Sequence, residues 1–141
     1  MSDLLDFGTQ AWLACLRETI NQSESYAEAA KNWEGDIYFI IEAADSYFPN
    51  DLYLYLDLWH GQCRAAAIAH TPADYQPEFT LSGSFKTFRQ IISEGLDPMK
   101  AIMTRKLKVQ GNMAKIMRHV KAANQLVYCC TLIPTRFPPE S

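Results

Sequence analysis

Residues 52–59 alternate without a break: Leu52, Leu54, Leu56 and Leu58 fall on one side of an extended chain, and Tyr53, Tyr55, Asp57 and Trp59 on the other. Successive strand side chains point to opposite faces, so this run predicts a strand with a leucine face on a core. A sheet with one oily face needs a second layer to cover it, and that need constrains everything around it. His60-Gly61 follows at once and predicts a two-residue hairpin, because glycine takes positive φ freely and histidine tolerates it. On the returning strand, 62–69, Cys63, Ala65, Ala67 and Ala69 share a face and leave volume that something else must fill. Upstream, Ile37, Phe39, Ile41 and Ala43 alternate with Asp36, Tyr38, Ile40 and Glu42 as another strand, and Pro49-Asn50-Asp51 makes the turn between them.

The covering layer is written in helical spacing. Leu4, Leu5, Trp12, Leu13, Leu16 and Ile20 recur near one face of a predicted helix from 4 to about 20. Ser25 and Glu28 have the spacing of a capping box, which predicts a short helix to Trp33. After a loop through Pro72, a strand is predicted over 75–81, with Pro77 marking an edge or bulge. Ser84 caps a helix over 85–93, and Asp97-Pro98 opens another carrying Met99, Ile102 and Met103. Leu107 and Val109 read as a last short strand; Asn112 then caps a final helix with Met113, Ile116, Met117, Val120 and Val127 as its stripe, followed by an extended tail through 133–139. The pattern predicts a single α+β domain over 1–141: helices to 35, strands over 36–81, helices with one strand over 84–127, and a tail from 131.

Apolar residues make up 48% and charged residues 21%, the balance of a chain that packs a core in water. No stretch approaches the ~18 apolar residues of a membrane span, the first residues lack the basic lead of a secretory signal, and the four cysteines form no CxxC pair, so the expectation is a cytoplasmic protein with reduced thiols. His60 and Cys63 alone have ligand-like spacing, too few for a metal site, and no cofactor is implied. Catalytic motifs are missing: there is no GxSxG, no Walker loop, no GxGxxG after a strand and no HExxH. The expectation is a protein that is not an enzyme; Asp57 and Cys63 are the residues on which an enzyme reading would rest.

Two features point instead to a ligand. The net charge of −3 hides a division: residues 1–97 carry 15 acids and 5 bases, whereas 98–139 carry no acid and 8 bases. Such a basic stretch is either a solvated helix face or a surface for an anionic partner such as a lipid headgroup or a membrane face. Methionines interleave it in place of stacking aromatics, which argues against nucleic acid. Of five methionines, Met99, Met103, Met113 and Met117 fall within nineteen residues as two i, i+4 pairs, and such pliable side chains suit either a core or a surface that accepts varied ligands.

Residues 79–127 sharpen this reading. The segments Phe79-Thr80-Leu81-Ser82, 85–95, Asp97-Pro98-Met99-Lys100-Ala101-Ile102-Met103 and Lys106-Leu107-Lys108-Val109-Gln110-Gly111-Asn112-Met113 resemble, in order and spacing, the sterol carrier protein type 2 family. The resemblance implies an α+β fold with about five strands, mainly antiparallel, covered by helices that enclose a hydrophobic tunnel for fatty acids, acyl-CoA thioesters, sterols or other lipids, without catalysis. By position, it implies a wall of Phe88, Ile92, Met99, Ile102, Met103, Leu107, Val109, Met113, Ile116, Met117 and Val120. A basic rim from Lys100, Arg105, Lys106 and Lys108 is the expected headgroup site. The family commonly has glycine where Arg105 stands, and the turn before Asp97 is one residue shorter here. A carrier of elongated apolar ligands is the primary expectation; the alternative is an accessory factor presenting a lipid or quinone precursor to biosynthetic enzymes.

Overall fold

In the computed structural model, which describes residues 4–44 and 48–138, thirteen elements are assigned in chain order. These are β1 (Leu5–Asp6), α1 (Gln10–Gln22), α2 (Glu24–Ala29), β2 (Glu34–Glu42), β3 (Leu52–Trp59), β4 (Gln62–Ala69), β5 (Phe79–Ser84), α3 (Phe85–Ser93), α4 (Pro98–Met103), β6 (Leu107–Gln110), α5 (Met113–Met117), α6 (Val120–Thr131) and β7 (Thr135–Arg136). Five strands form one sheet in the order β4-β3-β2-β5-β6, in which β2 and β5 are the parallel neighbours and the other pairs are antiparallel. The expected α+β class and five-stranded, mainly antiparallel sheet are therefore present.

The leucine strand organises the molecule as its alternation requires. Leu54, Leu56 and Leu58 of β3 pair with Phe39, Ile37 and Gly35 of β2, and the leucines and isoleucines of this face merge with side chains from α1, α3, α4 and α6 into one core. At the β3–β4 hairpin His60 and Gly61 both have positive φ (49° and 82°), the twist a two-residue turn needs. A Cβ on Gly61 would lie 2.8 Å from the backbone of Ala27, so the turn also fixes how close α2 approaches.

The alanine strand departs from its expected phase. A register shift lies between Asp57 and Leu58, so that Cys63, Ala66 and Ile68 oppose the leucines, while Ala65, Ala67 and Ala69 pair with Asp57, Tyr55 and Tyr53 on the opposite face. The extra residue, Arg64, turns the alternation over, as a bulge does. On that outer face the volume beside the alanines is taken by tyrosines: Tyr75 stacks on Tyr55 at 3.8 Å, and the Tyr38 hydroxyl accepts from Tyr75 N (2.9 Å) and donates to Pro72 O (3.3 Å), which ties the 70–78 loop across the sheet. That loop carries the chain to β5, which begins two residues after Pro77 and is internal to the sheet; proline is excluded from an internal strand, so it stands before it.

Both sheet edges are guarded. Along β4, Gln10 donates to Ala66 O (3.1 Å) and accepts from Ile68 N (3.2 Å), and Asn21 exchanges two bonds with Cys63 (3.0 and 2.7 Å). Side-chain amides of α1 thus satisfy strand groups that would otherwise template another chain. The β6 edge is short and carries Lys108.

Three helical boundaries differ from expectation for local reasons. Thr9 caps α1, because Leu5–Asp6 is drawn into a parallel pair with Thr135–Arg136 and cannot extend the helix. Ser23, not Ser25, caps α2, which ends at Ala29. The predicted final helix is two helices, broken at Arg118–His119, and the second runs on to Thr131. The tail through Pro138 is held to the body: Arg136 forks onto Asp6 (2.6 and 3.4 Å), Trp12 Nε1 donates to Thr135 Oγ1 (2.9 Å), and the Phe137 ring packs on Phe7 at 5.4 Å. Positions 139–141 of the expected tail lie outside the described residues.

Candidate apolar cavity

The two layers do not close fully on each other. Between the leucine face and the helices lies a cavity of about 140 Å³, whose sheet wall is Ile37, Phe39, Ile41, Leu54, Leu56 and Leu58. Helix α1 contributes Trp12, Leu13 and Leu16, and α6 contributes Ala122, Ala123, Leu126, Val127 and Cys130. The short helices α4 and α5, of six and five residues, lie over it. So few residues make little internal hydrogen bonding, and tertiary packing rather than helical propensity holds such turns in place.

Six residues of the expected wall line the cavity: Phe88, Ile92, Met99, Ile102, Leu107 and Ile116. Val109 and Val120 pack against the core beside it without lining it. The remaining methionines turn outward, with Met103, Met113 and Met117 exposed to 74%, 37% and 47%. Met113 and Met117 point outward together, as i, i+4 neighbours do, whereas Met103, the last residue of α4, departs from Met99, which lines the cavity one turn earlier. Beyond the break at Arg118–His119, α6 presents Ala122, Ala123 and Leu126 to the cavity. The leucines of β3 and the apolar face of α1 are the lining residues that the resemblance-based wall omits, although the alternation of 52–59 and the spacing of Trp12, Leu13 and Leu16 already pointed them at a core.

Lys100, Arg105, Lys106 and Lys108 are all exposed and none lines the cavity. Arg105 stands in the left-handed region at φ 64°, between the end of α4 and β6. This conformation strains a side chain and suits glycine, which accounts physically for the residue the family prefers there.

Burial keeps the thiol and phenol groups around the cavity protonated. Burial pushes the Cys130 thiol of its wall up to about 12, and burial pushes the nearby Cys63 up to about 11 and raises the Tyr26 hydroxyl well above the usual tyrosine range. These groups hold their protons at neutral pH, so Cys63 offers no thiolate nucleophile. Asp57 faces the outer side of the sheet, forked by Arg64 at 3.1 and 3.2 Å, and is remote from the lining. Among the described residues no group of three His, Cys, Asp or Glu is arranged to hold a metal ion, and no helix is long and apolar enough to cross a membrane.

One end of the cavity has polar structure. Lys115 donates from Nζ to Glu34 O and to Glu78 Oε2 (2.8 Å), and its ammonium lies 5.2 Å from the Trp33 ring and 5.6 Å from Phe79. His119 stands edge-to-face with Trp33 at 5.1 Å, and both rings line the cavity. These contacts pin the α5–α6 junction to the sheet where β2 begins.

This arrangement is shared with solved structures. The chain aligns with a crystal structure of sterol carrier protein 2 at 28% identity and a TM-score of 0.83, over 90% of this chain and 98% of that one. A conserved hypothetical protein from Thermus Thermophilus, solved in solution, matches at 27% identity and a TM-score of 0.83, over 99% and 97%. The ubiquinone synthesis protein UbiJ-SCP2, at 14% identity and a TM-score of 0.54 over 88% of each chain, shares the fold alone. No curated protein matches the chain. The profile of the SCP-2 sterol transfer family matches residues 16–124, and the chain belongs to that family, whose class of function is lipid binding or transfer.

Proposed function

We propose that this chain is a non-catalytic carrier that holds an elongated apolar ligand, a fatty acyl chain or a sterol-like lipid, against the leucine face of β3. The observation that carries the reading is the hydrocarbon-lined cavity of about 140 Å³ between sheet and helices. An apolar cavity of similar size, ~150 Å³, stays dry and admits a guest such as benzene. A longer ligand therefore needs the cover displaced, and α4 and α5 are the segments suited to move. Each buried methylene contributes about 0.8 kcal/mol, so a ten-carbon chain gains on the order of 8 kcal/mol before the cost of opening and of lost freedom. Binding of this kind needs few polar contacts and discriminates poorly between chain lengths. Phe88, Ile92, Met99, Ile102, Leu107 and Ile116 are the contacts we assign on the helical side.

The ligand exchanges, in this reading, at an anionic membrane surface. Support comes from the absence of acids over 98–139 and from Met103, Met113 and Met117, which are exposed among those bases. Cytoplasmic residence fits the four cysteines, which are unpaired in a fold where disulfides are not needed. Native mass spectrometry of the purified protein, before and after organic extraction, tests the proposal: a co-purifying lipid lost on extraction is expected, and a protein that neither carries nor takes up any lipid would refute it. Pull-down of biosynthetic enzymes in place of vesicle-dependent transfer would favour the accessory-factor reading; docking through the tail would first have to release the Arg136–Asp6 and Phe137 contacts.

A further inference from the structure

The cavity wall is hydrocarbon except at a few points. Trp12 Nε1 is committed to Thr135 Oγ1 and Trp33 Nε1 to Gly35 O, both at 2.9 Å. His119 is different. Its Nδ1 lies 2.9 Å from the carbonyl oxygen of Lys115. A carbonyl only accepts, so the proton sits on Nδ1, and in the neutral ring Nε2 is a lone-pair acceptor. No described residue donates to that atom. The ring does not swing freely, because Trp33 holds it edge-to-face and Lys115, whose carbonyl it grips, is anchored through Nζ to Glu34 O and Glu78. His119 is half-buried and its Nε2 is not sealed from solvent, so this fixed acceptor on a residue of the cavity wall is open to a donor that arrives with the guest.

We infer that His119 Nε2 accepts a hydrogen bond from a hydroxyl at the polar end of the ligand, so that the cavity prefers hydroxyl-terminated lipids to equally long guests without a donor. This rests on the carrier reading and names the polar end of its ligand. The shared chemistry is the hydroxyl, which a straight-chain alcohol or a ring-bodied, sterol-like alcohol supplies equally. Burying a hydroxyl without an acceptor is unfavourable, whereas its methyl ether has no donor to lose. The choice between alcohol and ether therefore isolates the role of Nε2. The Tyr26 hydroxyl has Cys63 and Cys129 as neighbours, and Cys129 stands ten residues, about 15 Å of helix rise, along α6 from His119.

The test is displacement of the neutral fluorophore N-phenyl-1-naphthylamine by two matched pairs, dodecan-1-ol with methyl dodecyl ether and a sterol with its methyl ether. The alcohols are expected to bind about fivefold tighter than their ethers, the worth of one hydrogen bond. His119→Phe, which keeps a ring on Trp33, should level or reverse that order while the ethers still bind. In the unsubstituted protein the ¹⁵N resonance of His119 Nε2 should move with dodecan-1-ol and not with its ether, a readout that needs no variant. A preference confined to one pair identifies which alcohol the site takes and supports the assignment. Equal affinity for alcohol and ether, an unmoved Nε2 resonance, or a preference that survives His119→Phe and disappears in Tyr26→Phe would overturn it. Failure of the fluorophore and all four ligands to bind would instead overturn the carrier reading on which it stands.

Discussion

Filling the void should stabilise the protein and abolish uptake together. Ala122 of α6 is buried and faces the cavity, so Ala122→Leu sends three carbons into empty space rather than into neighbours. At about 0.8 kcal/mol per carbon buried the gross gain is ~2.4 kcal/mol; side-chain ordering of about 0.5–1 kcal/mol lowers it to roughly 1.5–2. For a domain of this size that is a rise in midpoint of very roughly 4 °C per kcal/mol. Ala101 of α4 supplies the contrast: it is fully buried, at 0% exposure, yet lies outside the lining, so Ala101→Leu overpacks a filled region and is expected to destabilise by about 1–3 kcal/mol. Urea unfolding gives both signs, and displacement of N-phenyl-1-naphthylamine gives the loss of uptake in Ala122→Leu. If Ala122→Leu destabilises as much as Ala101→Leu, the helices and sheet are packed solid at α6 and the reasoning fails.

Other consequences are equally accessible. Arg105→Gly removes a left-handed side-chain strain of about 1–2 kcal/mol and adds back ~0.4–1 kcal/mol of unfolded-state entropy, for a net gain near 0.5–1 kcal/mol in urea unfolding. Because Met103 is exposed to 74% while its neighbour Ile102 lines the cavity, Met103→Glu should leave uptake in solution intact and weaken binding to anionic vesicles, whereas Ile102→Glu should abolish uptake; flotation and fluorophore displacement separate the two. Cys63 is fully buried, and that burial raises its thiol from 9.0 to about 11. A group with a raised folded-state value stabilises below the unfolded value and loses that contribution as the pH rises through the folded one. Stability should therefore fall between about pH 9 and 11, by on the order of 2–3 kcal/mol from this thiol, and Cys63→Ala should flatten the fall in pH-dependent urea midpoints.

Much of the architecture was legible because short-range rules set it. The unbroken alternation of 52–59 admits no other element, and His60-Gly61 leaves little choice of turn. Ser84, Asp97 and Asn112 each cap the helix they introduce, since capping depends on the next three residues alone. What escaped depends on longer-range events. A single bulge residue, Arg64, inverts the face of the alanines, and period-2 reading cannot see it. The N-terminal residues 5–6 look helical by spacing, yet pair with 135–136 at the far end of the chain. Met113 and Met117 share an exposed face, whereas Met99 lines the cavity and Met103 is exposed, and spacing alone did not say which way each points: a stripe of pliable side chains fits a cavity wall and an exposed surface alike. The cavity therefore belongs to leucines and α1 as much as to the methionine region.

Occupancy of the space between β3 and the helices is the claim from which the rest follows, and methyl NMR reads it residue by residue. With isoleucine, leucine and valine methyls ¹³C-labelled, titration with dodecan-1-ol should shift Ile37, Ile41, Leu54, Leu56, Leu58 and Ile116 and produce NOEs from these methyls to the alkyl chain, while Ile40 on the outer sheet face stays still. NOEs confined to Ile40 and other outer-face groups, or no NOE from any of the β3 leucines at saturating ligand, would contradict the account.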